Sequence, residues 1–269
     1  MQNLDLEKLT QNVCELVIEV GTFIRNESLN FNQSSTEYKG LNDLVSYVDK
    51  SAEQQLVKRL KILLPESGFI TEEKTETVIA EHYNWIIDPL DGTTNFIHGI
   101  PTYSISIALQ RNGILVLGVV YEIVRNECFY SCEGGKAWMN KKQISVSSAT
   151  GLNQSLIATG FPYYQFENMD SYLEILKVLM QKTHGLRRIG SAAVDLVYTA
   201  CGRFDGYFEY NLNAWDVAGG AFILQQAGGI VTDFAGTSDF INQREIVCGN
   251  PNIHQDLMEI VKKHWCLHI

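Results

Sequence analysis

The chain has 269 residues, of which 45% are hydrophobic, and it carries a formal net charge of −10. This length and composition allow one large domain with a substantial core. The acidic balance argues against nucleic-acid binding, which needs clustered lysine and arginine. The longest basic runs are pairs such as Lys141-Lys142 and Arg187-Arg188, and we expect these pairs on a solvated face or at a subunit contact.

The chain shows no targeting or membrane signal. Residues 1–8 lack the basic and apolar regions of a signal peptide, and no apolar run reaches membrane-spanning length. We therefore expect a cytoplasmic protein without a membrane partner. Without a Cys-x-x-Cys pair, the cysteines are expected to be small apolar core residues rather than zinc ligands. They are Cys14, Cys128, Cys132, Cys201, Cys248 and Cys266.

Helices and antiparallel strands are predicted for the first half. Apolar residues at helical spacing indicate helices at 4–26 and 49–64. The polar segment 28–42 between them predicts a loop or an irregular hairpin that carries Lys39. Residues 104–132 form apolar runs broken by two turn sequences, which is typical of an antiparallel meander. A short strand is predicted at 137–139.

Strands and helices alternate in the second half. This alternation predicts sheets layered with helices, mainly antiparallel in residues 1–150 and α/β in residues 151–269. No linker separates the halves, so we expect one domain over 1–269 with a shared cleft. The predicted strands are 155–159, 204–209, 230–232 and 246–248, and the predicted helices are 169–180, 190–200, 215–226 and 251–264.

The segment 85–95 carries the strongest functional signal. Its first three residues have the composition of a buried strand, and Pro89 cannot donate to a sheet ladder, so pairing is expected to end there. Asp88 and Asp91 then flank a turn that can bring both carboxylates to one point. Hard oxygen ligands of this kind suit Mg²⁺ or Ca²⁺.

A phosphate group fits beside these acids. Gly92 permits a tight turn, and the residues after it can begin a helix whose N-terminal amides bind an anion. A divalent ion next to such an anion site favours phosphoryl hydrolysis or transfer. Taken alone, however, an Asp-x-x-Asp-Gly sequence is more often a solvated turn.

Three further acids support the site. Glu72 follows the apolar strand predicted at 68–70, which repeats the arrangement of Asp88. Asp49 stands at a predicted helix start. Asp216 begins a helix of small residues that can pack closely, although alone it is equally well explained as a helix N-cap.

These segments together resemble the inositol monophosphatase family, most closely its bacterial SuhB-type members. The resemblance covers nearly the whole chain. It rests on WIIDPLDGTTNF (85–96) and WDVAGG (215–220) followed by QAGGI (226–230), and it extends through KGLNDLV (39–45), ITEE (70–73), ATGFP (158–162), RRIGSAAVDL (187–196) and GRFDGYFE (202–209).

The resemblance implies a layered αβαβα sandwich, usually homodimeric, with Mg²⁺-dependent, Li⁺-sensitive hydrolysis of a phosphomonoester such as myo-inositol monophosphate. Two to three Mg²⁺ ions are implied. Matched by motif, Glu72, Asp88 and the carbonyl of Leu90 hold one ion, Asp88, Asp91 and Asp216 hold a second, and a third, weaker ion lies near Glu72.

The same match implies roles at the substrate. Asp49, Glu72 and Thr93 form the catalytic group, in which Thr93 and Asp49 orient the attacking water and no covalent intermediate forms. The amides of Gly92 and Thr93 hold the phosphate. The matches for contacts to polyol hydroxyls are Asp91, Ala192, Glu209 and Asp216.

Two positions depart from the family pattern. Ser46 stands where threonine is common. Asn213 occupies a variable position near the leaving group, and it leaves the substrate preference open.

Other interpretations stay open. A phosphatase of the haloacid dehalogenase type has a similar acidic motif, but there the acids are two positions apart and the motif lies near the N-terminus. Within the inositol monophosphatase superfamily, the substrate could be fructose 1,6-bisphosphate, a bisphosphate nucleotide or histidinol phosphate. A protein-binding role in transcription or RNA processing is a third possibility.

Overall fold

The computed structural model describes residues 4–31, 36–40, 43–162 and 166–265, without the side chains of 36–40 and 43–45. The side chain of Lys39 and all of Cys266 therefore lie outside the described residues. The elements in chain order are α1 (Leu6–Ser28), β1 (Thr36–Gly40), β2 (Asp43–Ser46), α2 (Tyr47–Leu63), β3 (Gly68–Thr71), β4 (Tyr83–Asp91), α3 (Thr93–Ile97), β5 (Ser104–Arg111), β6 (Ile114–Glu122), β7 (Glu127–Cys132), β8 (Trp138–Met139), β9 (Lys142–Gln143), β10 (Leu156–Thr159), α4 (Met169–Lys182), β11 (Gly185–Arg187), α5 (Ala192–Ala200), β12 (Gly206–Tyr210), α6 (Ala214–Gln226), β13 (Ile230–Thr232), α7 (Phe240–Gln243), β14 (Glu245–Gly249) and α8 (Pro251–His264).

Two large sheets organise the chain. The seven-stranded sheet has the order β3-β4-β5-β6-β7-β8-β9, in which β3 and β4 are parallel and every other pair is antiparallel. The five-stranded sheet has the order β11-β10-β12-β14-β13. In it β10 runs parallel to both neighbours, while β14 is antiparallel to β12 and β13. A separate hairpin pairs β1 with β2.

The helices and sheets form five layers. Helices α1 and α2 pack on one face of the seven-stranded sheet, and α5 and α6 pack on its other face. The same α5 and α6 contact the five-stranded sheet, whose far side is covered by α4 and α8. The expectation of an αβαβα sandwich is confirmed. Because α5 and α6 contact both sheets, residues of the two halves meet at this central layer.

Strand β4 is buried on both faces, and its apolar run divides between two layers. Trp85, Ile87 and Leu90 belong to the core cluster under α1 and α2. Ile86 packs instead with Ala218 of α6. Successive side chains of a strand point to opposite faces, so this division orients the acids that follow.

Helix α6 lies unusually close to the seven-stranded sheet. A Cβ atom placed on Gly219 would stand 2.9 Å from Ser106 Oγ and 3.0 Å from the carbonyl oxygen of Ile107. A Cβ on Gly118 of β6 would in turn stand 2.6 Å from the Gly219 carbonyl oxygen. The expected close packing of this small-residue helix is therefore present, and it brings the start of α6 near the end of β4.

Most predicted elements are present. The segment 28–42 contributes to a hairpin, the second of the two expected alternatives. Three other short elements were not predicted: β9 and β11, each at the edge of a sheet, and α7, a single turn. Over the described ranges, every helix is too short or too polar to cross a bilayer.

Candidate active site

A bulge at the end of β4 puts Asp88 and Asp91 on the same face of the sheet. Asp88 pairs with Ser106 and Asp91 with Ser104, so β4 advances three residues while β5 advances two. On a regular strand, residues three positions apart face opposite sides of the sheet. The one extra residue of the bulge brings Asp91 back to the side that Asp88 faces. The prediction that pairing ends at Pro89 was wrong: the strand continues to Asp91, and the proline sits in the bulge, where no ladder amide is needed.

Two further carboxylates reach this face from other elements. The amide of Glu72, just after β3, donates to the carbonyl of Ile87 at 3.3 Å, which places Glu72 beside Asp88. Asp216 lies in the first turn of α6, and its carboxylate accepts the amide of Asn213 at 2.6 Å. Asp216 is thus the third residue of the helix rather than the N-cap, which is Asn213. All four acids line one cavity of about 470 Å³.

The acids destabilise one another's charged forms. Burial, followed by the charges of Glu72, Asp91 and Asp216, raises the pKa of Asp88 well above its ordinary value. Burial raises the pKa of Asp91 to about 6 and that of Asp216 to about 7. Such a group of buried carboxylates is stable in its charged form only beside positive charge.

A divalent cation fits this donor set. In the described part of the chain, no three Asp, Glu, His or Cys side chains already stand in the closed arrangement of a metal site. The four acids nevertheless line the same cavity. Hard oxygen donors of this kind suit Mg²⁺, and the ligand set itself stays a prediction.

Asp49 and Thr93 form a hydrogen-bonded pair beside the acids. Thr93 Oγ1 lies 2.8 Å from Asp49 Oδ1 and 2.9 Å from the carbonyl oxygen of Leu90. The other carboxylate oxygen of Asp49 accepts the amide of Ser46 at 2.9 Å and its hydroxyl at 2.6 Å. Serine therefore fills the capping role at position 46, with Asp49 as the third residue of α2.

Gly92 joins β4 to α3 in a conformation that favours glycine. Its φ is 95°, and a Cβ there would stand 3.2 Å from the carbonyl oxygen of Thr102 and 3.3 Å from that of Gly190. The buried Asn95 ties the turn to the second half, because its Nδ2 donates to the carbonyls of Thr102 at 2.8 Å and Ile189 at 2.7 Å. The amides of Gly92 and Thr93 thus start a short helix at the cavity wall.

The N-terminus of α5 also faces the acids. Ser191, its N-cap, donates its hydroxyl to Asp91 Oδ2 at 2.5 Å, and the amide of Ala193 donates to the same oxygen at 2.8 Å. The amide of Ala192 lowers the pKa of Asp91 as well, against the larger effect of burial. Ala192 lines the cavity next to Asp91, and its contact to the substrate stays a prediction.

Glu209 forms another part of the cavity wall. Tyr207 donates its hydroxyl to Glu209 Oε2 at 2.6 Å. Gly160 lies against the same carboxylate, because a Cβ at that position would stand 2.0 Å from its atoms. Burial raises the pKa of Glu209 to about 8, which the Tyr207 hydrogen bond and Arg188 partly oppose. The cavity thus has a wall that can exchange hydrogen bonds with hydroxyl groups.

Two residues of this wall were not predicted from the sequence. Arg188 is exposed, as expected of a residue on a solvated face, but it also lines the cavity and lies over the ring of Phe161, at 5.8 Å from its centroid. The expectation of a solvated face holds for Lys141 and Lys142, which are exposed. Asp195 also lines the cavity. Both residues lie within the RRIGSAAVDL segment, which is one of the segments that resemble the family. That resemblance was the signal that could have identified them.

The chain matches a known protein family along nearly its whole length. The sequence profile of the inositol monophosphatase family matches residues 5–266. The chain belongs to this family. It is 45% identical over 236 residues to a Neisseria meningitidis serogroup B protein named putative Nus factor SuhB, covering 87% of this chain and 90% of that protein.

Other inositol monophosphatase relatives agree in sequence and in structure. An inositol-1-monophosphatase of Mesorhizobium japonicum is 40% identical over 227 residues, which cover 84% of this chain and 85% of that protein. The crystal structure of the extragenic suppressor protein suhB from Bartonella henselae superposes with a TM-score of 0.89 at 36% identity, covering 95% of this chain and 99% of that one. Members of the family are phosphatases that generally depend on metal ions.

Proposed function

We propose that this protein hydrolyses the phosphomonoester of a small polyol in a Mg²⁺-dependent reaction, with myo-inositol monophosphate as the foremost substrate. The observation that carries the proposal is the meeting of four carboxylates with the Thr93–Asp49 pair and the start of α5 at one cavity. The name of the Mesorhizobium relative supports the choice of inositol monophosphate.

The carboxylates supply the cation site. Glu72, Asp88 and the carbonyl of Leu90 would hold one Mg²⁺, and Asp88, Asp91 and Asp216 a second, with Asp88 shared and a third ion near Glu72. When bound, these ions polarise phosphate oxygens and lower the pKa of a coordinated water. The residues themselves keep the ligands in place: Ser191 and Ala193 hold Asp91, and Asn213 holds Asp216.

Thr93 and Asp49 guide the proton of the attacking water. When the Thr93 hydroxyl donates to Asp49 Oδ1, its lone pairs are free to accept from a water in the cavity. Asp49 can then receive the proton through Thr93 without moving, since Ser46 fixes its second oxygen. Water attacks phosphorus directly while the bond between phosphorus and the polyol oxygen breaks, so no covalent enzyme intermediate is needed. The polyol leaves as a free alcohol after its oxygen takes a proton from solvent.

The substrate spans two parts of the wall. The amides of Gly92 and Thr93, at the start of α3, bind phosphate oxygens. The polyol hydroxyls meet Asp91, Ala192, Glu209 and Asp216. Glu209 suits this role because its carboxyl group, steadied by Tyr207, can accept hydrogen bonds from a hydroxylated ring.

A substrate panel tests the proposal. Phosphate release is measured from myo-inositol 1-phosphate, fructose 1,6-bisphosphate, a bisphosphate nucleotide and histidinol phosphate, with Mg²⁺, without it, and with added Li⁺. We expect Mg²⁺-dependent, Li⁺-sensitive release that is fastest with the inositol phosphate. No release from any member would overturn the proposal, and preference for another member would correct the substrate.

The absence of a covalent intermediate is tested separately. Rapid denaturation during turnover, followed by mass spectrometry of the peptide that contains Asp88, detects a phosphorylated aspartate. We expect an unmodified peptide. A phosphorylated Asp88 would instead support the chemistry of the haloacid dehalogenase type.

A second role is suggested by the Neisseria relative, whose name describes a putative Nus factor. A protein partner in the transcription machinery would then bind outside the cavity. Complementation of a deletion strain by Asp88→Asn separates the two roles, because this variant loses a shared metal ligand while its outer surface is unchanged. Growth restored without hydrolysis favours binding.

The homodimer and the cytoplasmic location stay predictions, which sedimentation and fractionation can test.

A further inference from the structure

Asp195 is a buried carboxyl group that the mechanism above does not use. It lies in α5, it is 1% exposed, and it is among the residues that line the active-site cavity. Its Oδ1 is buried and has no hydrogen-bond partner among the described residues. Buried polar oxygens are nearly always paired, and leaving one unpaired is costly, so this atom calls for an explanation.

The helix itself does not need this side chain. The N-cap of α5 is Ser191, whose hydroxyl accepts the amide of Val194. The amide of Asp195 donates to the carbonyl of Ser191 at 3.0 Å, and its carbonyl accepts the hydroxyl of Thr199 at 2.8 Å. The backbone of Asp195 is satisfied within the helix, and only its carboxyl group is left without a local role.

Asp195 lies near Glu209, in the part of the cavity wall that we propose binds the hydroxyl groups of the substrate. Its carboxyl group interacts electrostatically with those of Glu209 and Asp91, and with the guanidinium of Arg188. Glu209 is held in place by the Tyr207 hydroxyl on one side and by the close approach of Gly160 on another. Two carboxyl groups from different elements, α5 and β12, therefore lie near each other at one cavity.

We propose that Asp195 is a substrate-binding residue that determines specificity by exchanging a hydrogen bond with one hydroxyl of the polyol, beside the hydroxyl received by Glu209. The assignment rests on the proposed phosphatase function and deepens it. The ligand class is a neutral polyol with neighbouring hydroxyl groups. A second phosphate would meet two carboxyl groups here, and the single positive charge of Arg188 is already shared with Asp91, Asp195 and Glu209.

The test separates the polyol end from the phosphate end. Steady-state kinetics compare Asp195→Ala with the natural protein on inositol phosphate, with inorganic phosphate as a product inhibitor. We expect KM to rise about tenfold or more, as for the loss of one hydrogen bond to substrate. The kcat should stay within about twofold, and the inhibition constant of phosphate should not change. Asp170→Ala, which removes an exposed carboxylate of α4, is the matched control and should behave like the natural protein.

Deoxy substrates identify the contact. Each analogue is an inositol phosphate that lacks one hydroxyl. For the analogue that lacks the hydroxyl bound by Asp195, we expect the KM of the natural protein to rise by about the same factor as Asp195→Ala raises it for the full substrate. Asp195→Ala should not raise the KM for this analogue any further. Asp195→Asn keeps the size of the side chain and one acceptor oxygen, so it should show a smaller rise in KM. It also provides the comparison if the alanine variant does not fold.

The outcomes are distinguishable. An unchanged KM in Asp195→Ala and Asp195→Asn, or an equal loss of phosphate inhibition, would overturn the assignment while the phosphatase function stands. A fall in kcat with no change in KM would overturn it too. If the natural protein releases no phosphate from any panel member, the proposed function fails, and the role of Asp195 fails with it.

Discussion

The hydroxyl of Thr93 and the carboxylate of Asp49 lie 2.8 Å apart although they are 44 positions apart in sequence. Asp49 belongs to α2 and Thr93 begins α3, so the contact connects two elements on the same side of the seven-stranded sheet. Burial raises the pKa of Asp49, which the hydrogen bonds from Ser46 and Thr93 partly oppose. A carboxylate in this state is suited to accept a proton through the threonine hydroxyl.

Removal of the Thr93 hydroxyl should slow the chemical step. Thr93→Ala removes the group that we propose passes the proton of water to Asp49, and we expect kcat to fall about 10²- to 10⁴-fold, the usual range for general acid–base catalysis. Thr93→Ser keeps the hydroxyl and is the matched control. Equal activities of the two variants, measured at saturating substrate, would rule out the relay.

Loss of one cation ligand should affect both binding and rate. Asp91→Asn keeps the shape of the side chain but removes a charge from the proposed cation site. We expect kcat/KM to fall by orders of magnitude and Mg²⁺ binding, measured by calorimetry, to weaken. Glu133→Gln, on an exposed side chain, is the control. Unaltered Mg²⁺ affinity in Asp91→Asn would remove Asp91 from the ligand set.

The stability of the metal-free protein should decrease as the pH rises. The pKa of Asp91 is raised to about 6 and that of Asp216 to about 7, against about 3.9 for an aspartate in an unfolded chain. Between these values the folded protein binds more protons than the unfolded chain, so the free energy of unfolding falls as the pH rises from about 4 to about 7.

Bound Mg²⁺ should reverse this trend, because a cation favours the charged carboxylates. We expect the rise in Tm on adding Mg²⁺ to be larger at pH 8 than at pH 5.5, as measured by scanning calorimetry. Asp216→Asn removes one titrating group and should make the pH dependence shallower. A Mg²⁺-induced shift that is the same at all pH values would contradict the assignment of these acids to the cation site.

The close contact of α6 with the sheet should tolerate no side chain. Gly219→Leu forces atoms into the space occupied by Ser106 and Ile107, and we expect the free energy of unfolding to fall by about 1–3 kcal/mol. Urea denaturation measures the change. Gln225→Ala, at an exposed position of the same helix, should leave stability nearly unchanged. Equal stabilities would show that the sheet can move away from α6.

Local patterns in the sequence were enough to predict most elements and the layered architecture. The apolar spacing of 4–26 and 251–264 matches α1 and α8 closely, because one face of each helix is buried and periodicity records that face. Motif resemblance, which extended along nearly the whole chain, added the family and the candidate ligands. Short elements such as β11 were missed, since three residues carry too little pattern to distinguish a strand from a loop.

The sequence by itself therefore determined the family, the succession of helices and strands, and which side chains are candidates for the chemistry. Only the tertiary structure decided how those side chains meet. The bulge at Pro89 appears in the pairing of β4 with β5. Asp195 reaches the cavity because α5 packs between two sheets, and Arg188 reaches it from the segment between β11 and α5. The physical reason is that strand register and helix packing arise from contacts between distant segments, which local periodicity does not record.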